Sequence, residues 1–108
     1  MKRVVSVFAA ALFLAATASY AATSSTGWIS NTMCGAHMAD GTAAHVACIK
    51  SCIAHGNKPV FVDAKKNVWK IDNPSAINSK FYGARVRVKA TEDASNKTMH
   101  IDSIMAAK

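Results

Sequence analysis

Pro59-Val60-Phe61-Val62-Asp63, Ala64-Lys65-Lys66-Asn67 and Val68-Trp69-Lys70-Ile71-Asp72 form the stretch that decides the fold. The outer runs are rich in β-branched and aromatic residues, and the middle four are polar. That is a strand, a turn and a second strand, a hairpin by composition and spacing. Gly56-Asn57 before it and Asn73-Pro74-Ser75 after it break the pattern, so the hairpin has defined ends.

Working downstream, residues 74–81 read as a short helix with Pro74 or Ser75 in its first turn, and Gly83 ends that segment. Arg85-Val86-Arg87-Val88-Lys89-Ala90 alternates with period two, valines inward and cations outward. Residues 91–96 are a polar loop, and Thr98 to Ile104 form a closing strand. Upstream, Gly27-Trp28-Ile29-Ser30 is a short strand. Asn31, Gly35, Asp40 and Gly41 give residues 31–42 loop chemistry. Thr42 is placed to cap a helix over 43–55, with Gly56 and Asn57 as its stop. On that helix Val46, Ile49 and Ile53 form an apolar stripe, and His45, Cys48, Cys52 and His55 form the stripe beside it.

The element count is five strands, with a short helix between the third and fourth. That order is the order of the OB-fold, a small Greek-key barrel. The expected class is therefore mostly β with helices: an OB-like five-stranded barrel, or a curled open sheet, with the 43–55 helix inserted between strands 1 and 2. No repeat or low-complexity tract divides the chain, so residues 27–108 read as one domain.

The first residues read as a secretory leader. Lys2 and Arg3 are followed by an apolar run from Val4 to Ala18, and Ser19-Tyr20-Ala21 supplies the small residues of a cleavage site. The run is too short and alanine-rich for a stable membrane anchor. Cleavage is expected after Ala21, with Ala18 as the alternative, and implies a secreted or periplasmic protein with no membrane span. It leaves 87 residues and lowers the formal net charge from +7 to +5. Residues 22–26, Ala-Thr-Ser-Ser-Thr, read as a flexible start. A core of that size gives thin stability, so a disulfide or metal would add noticeably to it.

All three cysteines fall in one nineteen-residue window, Cys34 to Cys52. An odd number cannot all pair within one chain, so at least one thiol is left for a metal, a partner or redox chemistry. Cys48 and Cys52 are four apart on the helix, with Cβ atoms about 6 Å apart, too far for a disulfide that wants about 3.8 Å. A zinc or copper ion about 2.3 Å from each sulfur can span them, with Cys34 folding over as a third ligand. His45 and His37 compete for a fourth position. His45 shares a face with Cys48 but lies about 10 Å along the axis from Cys52, whereas His37 sits on a loop and can adapt. The rival reading pairs Cys34 with Cys48 or Cys52 in a disulfide, which an oxidising compartment favours, worth roughly 3 kcal/mol by loop closure. No Cys-x-x-Cys and no Cys-x-x-Cys-His is present, which counts against dithiol redox chemistry and covalent haem.

Gly27-Trp28-Ile29-Ser30, Cys34-Gly35, His45-x2-Cys48-x3-Cys52, the two hairpin strands and the closing Gly83–Ile104 segment together resemble a family of small, uncharacterised exported bacterial proteins with an OB-like domain. The resemblance implies export and the barrel. It singles out Cys34, His45, Cys48 and Cys52, and it implies no activity.

Arg85, Arg87 and Lys89 make a basic strand face of the kind that tracks polyanions on OB barrels. Single-strand binding needs exposed aromatics beside the cations, and most of Trp28, Phe61, Trp69, Phe81 and Tyr82 are needed for the core, so no strong nucleic-acid signal results. No nucleophile elbow or carboxylate pair stands in a catalytic context, so a binding role is expected rather than an enzyme.

Overall fold

The computed structural model describes residues 21–107. The leader expected at residues 1–21 lies, Ala21 apart, outside the described residues. Five strands close into a barrel in the order β1-β2-β3-β5-β4. They are β1 (Ala21–Asn31), β2 (Pro59–Asp63), β3 (Val68–Ile71), β4 (Arg85–Asp93) and β5 (Thr98–Ala106). One helix, α1 (Ala43–Ala54), stands between β1 and β2. This is an OB-like barrel with the expected inserted helix, and closure excludes the open curled sheet.

All neighbours pair antiparallel except β3 and β5, which run parallel. That parallel seam is short. Lys70 and Asp72 donate their N–H groups to the carbonyls of Lys97 and Met99. Asn73 extends it with its side chain, donating to the Ile101 carbonyl and accepting from the Ile101 N–H, both at 2.9 Å. The amide thus stands in for one more step of strand pairing.

Three expectations are corrected. The loop expected over 91–96 begins only after Asp93, since Thr91, Glu92 and Asp93 pair with His100, Met99 and Thr98 of β5. Residues 22–26 are strand, not a loose start: they pair with β4 from Ala22↔Thr91 to Thr26↔Arg87. Small polar residues tolerate a strand when a long partner supplies the ladder, and β4 is nine residues long. The short helix expected over 74–81 is two single turns, Pro74–Ala76 and Ser79–Phe81. Between them Ile77 is extended and buried, and Asn78 caps the second turn by accepting from the Lys80 N–H.

Ile29, Phe61, Trp69, Val86, Val88, Ala90, Met99 and Ile101 fill the core together with Ile77 and Phe81. Gly27 is where β1 meets β2 and β4 at once, opposite Asp63 and Val86. A Cβ there would lie 2.1 Å from the Val62 carbonyl oxygen, so only glycine fits.

The strand β2 does not alternate. Pro59, Val60, Phe61 and Val62 are all buried. Phe61 belongs to the main core, whereas Val60 and Val62 belong to a second cluster with Ala39, Trp28 and Ala36. The segment between β1 and β2 therefore folds over the outside of the barrel and covers a face that would otherwise meet water. A continuous apolar run of this length is the signature of a strand buried on both faces.

Candidate metal centre

The covering segment leaves β1 at Asn31 and turns at once. The Asn31 side-chain oxygen accepts from the N–H groups of Met33 and Cys34, each at 2.8 Å. Ser30 donates its hydroxyl to the Gly35 carbonyl at 2.8 Å, and Gly35 takes a left-handed φ of 54°. These bonds fold a turn that buries Cys34 under the segment. A 3-10 turn, Gly35–Met38, carries His37 outward into solvent.

The helix α1 brings the other two thiols. Thr42 stands at its N-cap, but its hydroxyl does not cap the helix; it bonds the Asp40 carboxylate, which also accepts from the Thr42 N–H. Ile49 is the one residue of α1 that is fully buried, while Val46 and Ile53 are half-buried. The expected apolar stripe thus docks mainly through its centre. Gly83 receives the helix: a Cβ there would lie 2.9 Å from the Val46 Cα, and its φ is +82°. This seating turns Cys48 and Cys52 toward the turn that holds Cys34.

The result is a triangle of thiols. The ligating atoms of Cys34, Cys48 and Cys52 all lie within 4.8 Å of one another. Three sulfurs each about 2.3 Å from a common ion stand roughly 4 Å apart. The triangle therefore needs only a small contraction to hold a metal. None of the three cysteines forms a disulfide in the structure. Cys34 is buried and the two helix cysteines are half-buried. Burial, followed by the adjoining Cys34 and Cys48 thiols, pushes the Cys52 thiol up from its ordinary value. An ion bound here would have to displace that proton, so its occupancy would fall as pH falls.

The histidines expected as a fourth ligand do not join the triangle. Among the described residues, the group within 4.8 Å contains sulfur alone. His45 turns its Nδ1 to Asp40, 2.8 Å away, and that contact, after the Thr42 N–H, helps hold the Asp40 carboxyl below its usual range. Its position one turn before Cys48 puts it beside the helix start, where the carboxylate is nearer than the sulfurs. His37 is exposed on the 3-10 turn. His55 bonds the Ser51 carbonyl at 2.7 Å.

The sequence reading missed Asn31, which it placed among generic loop residues. Asn31 is fully buried and donates its amide to Cys34 Sγ at 3.3 Å and to the Ile49 carbonyl at 3.4 Å. An asparagine three residues before a lone cysteine, straight after a strand, was the available signal.

The basic face is present as expected. Arg85, Arg87 and Lys89 are exposed on β4, and Val86, Val88 and Ala90 point inward. Among the described residues, the aromatic paired with them is Trp28, opposite Arg85 and half-buried. Trp28 packs against Gly41 and the second cluster, and Phe61, Trp69 and Phe81 are buried in the core. His100 is exposed and pairs with Asp72 at 2.7 Å. No family model, no curated protein and no solved structure matches the chain.

Proposed function

We propose that this protein is an exported binding module that holds one zinc or copper(I) ion between Cys34, Cys48 and Cys52. The observation that carries the reading is the approach of all three sulfurs to within 4.8 Å. Thiolates are soft donors, and soft donors suit these two ions. Among the described residues the triangle would supply three ligands, which would leave a fourth position for water, a partner's side chain or a cargo ligand. In this reading the protein binds and does not catalyse, and the leader-like sequence of residues 1–21 supports export.

The same sulfur approach favours a second reading. Cys34 is near enough to either helix thiol for a disulfide to form with modest movement, and an exported protein meets oxidants. The staple would pin α1 to the turn without metal. Reagents separate the two. A chelator lowers the melting temperature of the metal form and leaves a stapled form unchanged; a mild reductant does the reverse.

A further inference from the structure

Asn31 is built into the sulfur centre more tightly than a turn cap requires. Its orientation is fixed by its own bonds. The side-chain oxygen takes two backbone N–H donors, those of Met33 and Cys34, both at 2.8 Å. Reversing the amide would set its NH2 group against two donors. The NH2 group therefore faces the other way, toward Cys34 Sγ and the Ile49 carbonyl. A primary amide offers two acceptor positions and two donors, and all four are used inside a fully buried site. Through them one side chain joins the end of β1, the turn bearing Cys34, and the helix residue next to Cys48.

We propose that Asn31 is the positioning residue of the centre, fixing Cys34 against α1 and drawing charge from its sulfur through an N–H···S bond when an ion is bound. The proposal rests on the metal reading above. Metal ligands depend on such outer partners for orientation and donor strength, and losing one typically costs about 10–100-fold in affinity. The bond acts on a metal-bound thiolate, where a donor is charge-assisted and stronger than toward a neutral thiol.

Cobalt(II) is a suitable probe, because its sulfur-to-metal charge-transfer band reports the donor energy of the thiolates. The reduced protein and two variants are titrated without oxygen, with fold checked by circular dichroism. Asn31→Asp keeps the oxygen that accepts from Met33 and Cys34 but removes both donors. Asn31→Ser keeps a hydroxyl able to hold the turn but does not reach the sulfur. The expected result is one ion per chain in all three proteins, with affinity lower by about 10–100-fold in the variants. Their charge-transfer band should also move to lower energy, because an unbonded sulfur gives up its electron more readily. A folded variant with unchanged affinity and an unshifted band would overturn the role of Asn31 and leave the metal site standing. A wild-type protein that takes up no cobalt would instead overturn the metal reading, and this inference with it.

Discussion

At the residue scale, two buried or half-buried polar groups organise what surrounds them. Asp63 ends β2 and accepts from the N–H groups of Lys65 and Asn67, from the Asn67 amide and from the Trp69 indole at 3.0 Å. It holds the hairpin turn in which Lys66 adopts a left-handed φ of 71°. Partial burial pushes its carboxyl upward, but these donors outweigh that and leave it below its ordinary value. The stabilisation is therefore present above the unfolded carboxyl value of about 3.9 and is lost as pH falls through the lower folded value. Asp63→Ala should lose about 1–3 kcal/mol at neutral pH in urea unfolding, and the difference from wild type should shrink in acid. A variant equally stable at neutral pH would show that these bonds contribute nothing net. Cys34 is the second case. Cys34→Ser should lower the melting temperature whether the centre is a metal site or a staple, since both need that sulfur and Asn31 loses one of its four partners. An unchanged melting temperature would count against both.

At the element scale, α1 is held by few things. Its N-terminus has no side-chain cap and its first turn no acidic residue, while at its other end the Asn57 amide and His55 Nδ1 meet the carbonyls of Cys52 and Ser51. A helix of twelve residues is marginal in water on its own. Ile49, the Gly83 contact, the Asn31 bond and the sulfur triangle fasten it to the barrel. Filling the triangle with zinc should therefore slow hydrogen exchange in Ala43–Ala54 far more than in β4. Equal protection with and without metal would show that the triangle does not fasten the helix. Gly83→Ala should destabilise by about 1–3 kcal/mol, because its Cβ would meet the Val46 backbone and its φ disfavours any side chain. Thermal unfolding that matches wild type would contradict this.

These elements also show what the sequence could and could not convey. The hairpin from Pro59 to Ile71 and the alternation from Arg85 to Ala90 were legible, because period and turn chemistry are local. The first half of β1 was not. Ala-Thr-Ser-Ser-Thr carries no apolar alternation, and its strand state comes from pairing with β4, distant in sequence. The two turns at 74–81 were blurred into one helix for a similar reason, since Ile77 is drawn out by burial in the core. Proximity of the three thiols was legible because both a metal site and a staple need Cys34 against the helix that carries Cys48 and Cys52. The absence of His45 from them was not, because it depends on Asp40 competing for the imidazole.

At the scale of the whole molecule, the barrel is a scaffold with an outer layer on one side. That layer, residues 32 to 58, covers β1 and β2 and carries all the cysteines. The cations of β4 lie on a separate strand face; across from them on β1 stand Ser24, Thr26 and, opposite Arg85, the half-buried Trp28. With Trp28 packed against Gly41 and the second cluster as the one aromatic paired to a cation here, this face should bind single-stranded nucleic acid no tighter than micromolar at physiological salt. Sub-micromolar binding that disappears in an Arg85→Ala, Arg87→Ala double variant would contradict that.

The central claim is the three-sulfur metal centre. Mass spectrometry of the reduced, zinc- or copper(I)-supplied protein, under native and then denaturing conditions, tests it most directly. The account predicts one ion per chain in the native spectrum, lost on denaturation and absent when Cys34, Cys48 or Cys52 is changed to serine. A native mass without metal would contradict it, and so would metal uptake unaffected by all three serine substitutions.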